Sequence, residues 1–426
     1  MIRRLRLDNT IPMLTQGYAW FPDRRRAAAR AGGVRTALHT RLMGRRTLGV
    51  AGPEGARFLY DEDHVHRRGA LPEPVVSTLF GHGAVHTLDG EAHRVRKAMF
   101  VDLLMGSGTG ALVDAVTAAW DDAVPQWAAR PRVVLFDEVG RVLTRGVCSW
   151  AGVPLTEAEV PALARDLTTL VDGFATGAPR HWRARRVRQR REAWLAGLVD
   201  DVRSGARTVP AGSVVDVVCR HRDSDGELLE PRVAAVELLN VLRPTVAVCW
   251  FVAFAAHALH SWPANRDRLR TGDAAFPTAF AHEVRRFYPF APFIGGRAPR
   301  EVEWNGVRVP AGAMVLLDLF GQNHDPQLWG DPYVFRPERF LAGGEVRRIG
   351  PFELVPQGAG DPRTGHRCPG EDVTVALLAA LAGRLAALEY VLPEQDLSIS
   401  LRRIPARPAS RVVMTVVRPG PAGRAT

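Results

Sequence analysis

The stretch 233–260 constrains this chain more than any other. Its second half is apolar nearly all round, which suits a helix only when that helix is buried. Inside it stand Arg243 and Pro244. The proline removes a backbone donor and crowds the carbonyl four residues back, that of Asn240, and it pushes the preceding residue away from helical geometry. The expectation is a kinked core helix with a guanidinium beside the kink. Such a charge is costly unless it meets an anion. Two sources of that anion stay open: an internal Asp or Glu, or a ligand.

Helix-period patterns also cover 112–128, 136–151, 160–174, 190–202, 278–288 and 373–388. Strand signals are fewer. One is 47–50; another is 302–319, where Asn305-Gly306 marks a tight hairpin turn and Pro310-Ala311-Gly312 leads into an apolar strand. Loops rich in Pro and Gly fill 321–337 and 355–370. The fold class expected is mainly α with small peripheral β-sheets, in a single domain over 1–426.

The net charge of +11 comes mainly from Arg. Its densest run, 180–191, reads as a loop entering an amphipathic helix and as a solvated surface. No nucleic-acid motif accompanies it, so no nucleic-acid partner is expected. Cys148, Cys219, Cys249 and Cys368 form no CxxC pair, which speaks against a zinc site or a disulfide framework and fits a reducing cytoplasm. The first 14 residues are basic without an apolar signal core. The longest uncharged apolar stretch, 244–259, is shorter than the roughly 20 residues that span a bilayer. A soluble protein with no integral membrane segment is expected.

Cys368 lies on a Gly-rich loop, PQGAGDPRTGHRCPGE (356–371), just ahead of an apolar helix. Backbone N–H groups and the dipole at a helix start stabilise a thiolate. Such a thiolate serves as an axial iron ligand and pushes electron density toward O–O cleavage. A lone cysteine of this kind also suits a free structural thiol.

The loop resembles the haem-binding loop of cytochromes P450, and other motifs follow that family's order. Glu283-Val284-Arg285-Arg286 resembles its ExxR motif, and Phe335-Arg336-Pro337-Glu338-Arg339-Phe340 its PERF segment. The resemblance implies a buried ion cluster of Glu283, Arg286 and Arg339. It also implies a haem b cofactor whose iron is ligated by Cys368 and whose propionates meet His93 and Lys97, with Arg67 and Arg297 as further contacts. Two departures narrow the family. Arg243-Pro244 replaces the usual acid–alcohol pair, and Gly365-His366-Arg367-Cys368 carries an apparent insertion. Both departures, with segments 78–93, 283–296 and 356–371, resemble the bacterial fatty-acid peroxygenases of the superfamily.

That resemblance implies the cytochrome P450 fold and oxidation of long-chain fatty acids by hydrogen peroxide, with no obligatory redox partner. The products would be hydroxy fatty acids, terminal alkenes formed by decarboxylation, or both. Arg243 would hold the substrate carboxylate, which replaces the missing protein acid in proton transfer, and Pro244 would shape that position. His86 stands where members favouring decarboxylation carry His; a role limited to hydrogen bonding near the haem is the other reading. Leu79, Phe80, Phe290 and Phe293 would line an apolar acyl channel, or simply pack in the core. A conventional monooxygenase fed by NAD(P)H and redox partners is the alternative, against which the missing acid beside Thr245 argues.

Overall fold

The structure is a computed structural model that describes residues 8–30, 36–174, 176 and 178–419. The basic start of the chain, up to Leu7, lies outside the described residues. The apolar stretch forms a central helix in two parts, Pro231–Val246 and Val248–Ser261, joined at Ala247. Arg243 keeps helical geometry although a proline follows it. Packing on every side overrides the local preference of the pre-proline residue. The ladder changes at Ala247, which still bonds back to the Arg243 carbonyl at 3.0 Å but accepts a three-residue bond from the Trp250 N–H at 3.1 Å.

Counting uncharged residues undervalued this element. Pro231–Ser261 taken together is long and apolar enough to cross a membrane, because a hydropathy window tolerates the single Arg243. In the folded protein 94% of its most apolar window is buried. Helices Leu135–Ala151, Val160–Asp172, Ala178–Arg203, Phe276–Phe287 and Glu371–Ala387 pack against it. They present Leu143, Leu163, Leu167, Leu195, Leu377 and Leu381, all fully buried, in one core with Leu238 and Leu239. Leu163 and Leu167, and likewise Leu377 and Leu381, are four residues apart, which puts each pair on one face of its helix. Truncating one to Ala removes roughly 2–5 kcal/mol.

The basic run 180–191 departs from expectation. It is not a loop but part of the 26-residue helix Ala178–Arg203. Arginine is a good helix former, and Pro179 in the first turn suits a helix start. Nor is the run wholly solvated: Arg188 is buried and pairs with Glu192 at 2.6 Å.

The sheets are small and peripheral. The largest orders its strands Ala37–Leu42, Arg45–Val50, Met314–Asp318 and Phe293–Arg297, and the middle pair runs parallel from Thr47 opposite Met314 to Val50 opposite Leu317. The hairpin Val302–Trp304 with Val307–Val309 turns at Asn305-Gly306, both with positive φ, as a two-residue turn of this type requires.

One ion cluster ties helix Phe276–Phe287 to the Pro-rich loops. Glu283 accepts from Arg286 at 2.7 and 2.8 Å and pairs with Arg339 at 3.1 Å. The Arg336 N–H adds a bond at 2.8 Å. Arg286 also reaches the carbonyls of Asn323 and Pro332. The expected cluster of Glu283, Arg286 and Arg339 is present, with every charge answered.

Candidate active site

The loop around Cys368 is held by backbone before side chains. The Cys368 N–H donates to the Gln357 carbonyl at 3.1 Å. Helix Glu371–Ala387 starts three residues later, with Gly370 at its N-cap. Gln357 is the hub. Its Nε2 lies 3.8 Å from the Cys368 Sγ and donates to Thr374 at 3.0 Å, while its Oε1 accepts from Arg285 at 3.0 Å. Arg285 also pairs with Glu371, which takes Arg367 at 2.6 Å. Gly358 is required here: its φ is positive, and a Cβ would fall 2.4 Å from the Tyr60 hydroxyl. Burial pushes the Cys368 thiol up, against the pull of Lys97 and the Gly370 backbone.

A cationic group borders this loop. His93 and Lys97 lie on helix Gly90–Leu104, one turn apart. The Lys97 ammonium donates to the Arg367 carbonyl at 2.5 Å, and burial pushes it down to about 8. The rings of His93 and His366 stack at 3.8 Å. Arg67 is buried, donates to the Gly295 carbonyl at 2.6 Å and lies over the Tyr60 ring. Arg297 is apart from them in character: it is exposed on its strand, next to Gly69 and Gly312.

The opposite side is built from the central helix and the segment before helix Gly90–Leu104. A π-type turn, Val76–Phe80, carries Leu79 and Phe80. Arg188 clamps both of their carbonyls at 2.8 Å. Gly81, with positive φ, makes room for that clamp, since a Cβ there would fall 2.2 Å from the Arg188 Nη2. The Phe80 ring sits 4.4 Å from the His86 ring and 5.9 Å from the Arg243 guanidinium carbon. Arg243 is buried and donates to the Asn240 Oδ1 at 3.2 Å. Its Nε is buried without a partner, and among the described residues no carboxylate forms an ion pair with it. Burial, then Arg188, pushes Arg243 down to about 9. The His86 imidazole is held well below its usual range by burial first, then by Arg243, Lys97, His366 and His93. The Phe80 ring, against both His86 and the Arg243 guanidinium, brings those two groups to one space.

The residues fit a haem. Arg67 Nη2, His86 Nδ1, His93 Nδ1, His366 Nε2 and Arg243 Nε are all buried with no hydrogen-bond partner among the described residues, although Glu62 stands 3.9 Å from both the His93 and the His366 nitrogen. The Cys368 thiol lies near enough to favour the charged form of Arg243. Glu62, His93 and His366 also bring ligand atoms within 4.8 Å of one another, a set that suits a metal ion. Arg67 and Lys97 beside them make an anionic group, such as a propionate, the better match.

Not every expected residue joins this group. Leu79 and Phe80 do. Phe290 packs on Phe251 at 5.0 Å, farther along the central helix. Phe293 is a correction: it packs with the cluster of Trp20, Leu38 and Met314, not with Phe80 and Arg243. Strand alternation explains it, since Ile294 takes the other face and packs with Val50 and Leu317. Gln357, Arg285, Glu237, Asn240 and Arg188 were missed. Gln and Asn carry no pattern of their own, and the arginines were hidden in a chain rich in them.

The comparisons agree with this geometry. The cytochrome P450 family profile matches residues 275–385. Cytochrome P450SP alpha (CYP152B1) in complex with (R)-ibuprophen is 40% identical, covers 97% of this chain and 100% of its own, and superposes with a TM-score of 0.92. Cytochrome P450EX alpha (CYP152N1) with myristic acid is 35% identical over 97% of this chain and 98% of its own, with a TM-score of 0.91. A variant of cytochrome P450 OleT in complex with arachidonic acid is 33% identical over 98% of both chains, also with a TM-score of 0.91. Curated relatives match over less: the chain spans 22% of the length of geranylhydroquinone 3''-hydroxylase from Arnebia euchroma, at 39% identity over 112 residues.

Proposed function

The chain belongs to the cytochrome P450 family, and we propose that it is a fatty-acid peroxygenase, oxidising long-chain fatty acids with hydrogen peroxide next to the acid group. The observation that carries this reading is Arg243: a buried guanidinium with an unpartnered Nε, facing the thiol side of the site. Similarity to proteins crystallised with myristic and arachidonic acids supports the same substrate class.

A bound haem b with Cys368 as its thiolate ligand supplies peroxide activation and hydrogen abstraction. Cys368 is held for ligation by Gln357 and the loop backbone, and His93, Lys97 and Arg67 hold the propionates. Arg297, exposed on its strand, would be a further propionate contact. The protein's own residues then do three things. Arg243 binds the fatty-acid carboxylate through its planar fork. That carboxylate moves a proton from one peroxide oxygen to the other, the work that a protein acid beside Thr245 would otherwise do. Leu79, Phe80 and Phe290 exclude water along the acyl chain.

The stoichiometry closes without an electron donor. Fatty acid and peroxide give hydroxy acid and one water. Alternatively they give terminal alkene, carbon dioxide and two waters. In this reading His86, held neutral at pH 7 and packed against Phe80, favours the alkene; a role limited to hydrogen bonding near the haem is the other reading. The four free cysteines support a reducing cytoplasm as the compartment.

The test is incubation with a saturated long-chain fatty acid and peroxide, with products identified by mass spectrometry. Hydroxy acid or alkene should form with peroxide alone. A strict requirement for NAD(P)H and redox proteins would overturn the proposal.

A further inference from the structure

A fully buried carboxylate near Arg243 has no part in the chemistry above. Glu237 lies on the central helix with its side chain sealed from solvent. Its Oε1 accepts from Arg96 at 2.7 Å and from the Val85 N–H at 2.8 Å. Its Oε2 accepts from the Asn240 Nδ2 at 2.9 Å. Asn240 in turn offers its Oδ1 to Arg243 at 3.2 Å. Residues 237, 240 and 243 follow one another at three-residue steps, which brings them to one helix face.

We infer that Glu237 is a positioning residue that aims Arg243 by fixing the direction of the Asn240 amide. An asparagine amide is nearly symmetrical in shape, so its neighbours decide which end points where. Ionised Glu237 can only accept, and Arg243 can only donate. Both ends therefore demand the same orientation: Nδ2 toward Glu237, Oδ1 toward Arg243. Burial pushes the Glu237 carboxyl up, and Arg96, Asn240 and the Val85 N–H, three donors, oppose that push and favour the ionised form. Arg96 is itself anchored by Asp223 and the Gly83 carbonyl. Asn240 occupies Arg243 Nη2 and leaves Nε to meet a ligand.

The same carboxylate sets the other side of the site. Val85 is the neighbour of His86, and both begin the short turn Val85–Thr87. One buried acid thus fixes Arg243 through a side-chain relay and His86 through the backbone. This inference rests on Arg243 being the carboxylate anchor.

Glu237→Gln tests it in the haem-loaded enzyme. The new amide keeps an acceptor for Arg96 and Val85, but its NH2 faces Asn240. Asn240 must turn its oxygen to meet that NH2, which leaves its own NH2 against Arg243. The absorption spectrum of the thiolate-ligated haem should persist, and fatty-acid affinity should weaken about tenfold. The loss should fall on KM more than on kcat, because an anchor is misaimed but not removed. Asn240→Leu should weaken affinity similarly, and the double variant should lose no more than either single one. Should Glu237→Gln fail to load haem, Asn240→Leu carries the test, and native affinity in that variant would overturn the inference. Arg243→Ala separates the two readings. If it abolishes binding while Glu237→Gln and Asn240→Leu bind as tightly as the native enzyme, the relay is wrong and the anchor stands. If Arg243→Ala also binds normally, the anchor itself has failed.

Discussion

The two sides of the site treat charge in opposite ways. On the thiol side, Glu283 answers Arg286 and Arg339, and Glu371 answers Arg285 and Arg367. On the opposite side Arg243 is as deeply buried, yet it meets one amide oxygen and no carboxylate among the described residues. Burying a guanidinium costs several kcal/mol in either place, by order of magnitude. Arg285 and Arg286 offset that cost with carboxylates, as Arg188 and Arg96 do nearer the central helix, but Arg243 does not. The first arrangement locks a loop in place; the second leaves an attraction that a ligand can complete.

This contrast can be broken by substitution, and the largest effect comes from the locked side. Cys368→Ala should remove the thiolate signature in the carbon-monoxide difference spectrum and abolish turnover. Arg286→Ala should destabilise the fold by about 3 kcal/mol in denaturant titration, since it leaves the buried Glu283 with Arg339 as its single ion-pair partner among the described residues. Arg243→Ala should do the reverse of Arg286→Ala. Turnover of long-chain fatty acid should fall about a hundredfold or more, while the melting temperature holds or rises, because no acid is left unpaired. A short carboxylate added to that variant should restore oxidation of small neutral compounds.

The smaller effects sharpen the same comparison. Affinity needs the fatty acid ionised and Arg243 charged. It should therefore be steady at neutral pH and decline as pH rises through about 9, where burial has pushed the free guanidinium. Carboxylate binding favours the charged form, so the decline should come later in the saturated enzyme. Smallest of all, His86→Gln should change total turnover by severalfold at most and shift products from alkene toward hydroxy acid, read by gas chromatography.

The sequence made the central helix, the Asn305-Gly306 turn and the Glu283–Arg286–Arg339 cluster legible, because apolar period, turn chemistry and motif order are local signals. Arg243 was legible because a charge is out of place in an apolar helix, and Cys368 through the resemblance of its loop to a haem-binding loop. Two things were not. The run 180–191 hid a helix because its charges mask the apolar face that Ala184, Val187 and Leu195 present to the core. The relay through Glu237 and Asn240 was invisible because Asn240 matters only through its two neighbours, and Val85 and Arg96 reach Glu237 from more than 140 residues away in the chain. Phe293, for which the resemblance implied a channel and core packing was the other reading, follows the second, because strand alternation turns it toward Trp20 and Met314.

A crystal structure of the haem-loaded enzyme with a long-chain fatty acid tests the central claim most directly. The acid group should lie about 2.8 Å from the Arg243 guanidinium, within its planar fork. A carboxylate pointing to solvent, with Arg243 turned onto a protein Asp or Glu, would contradict the account.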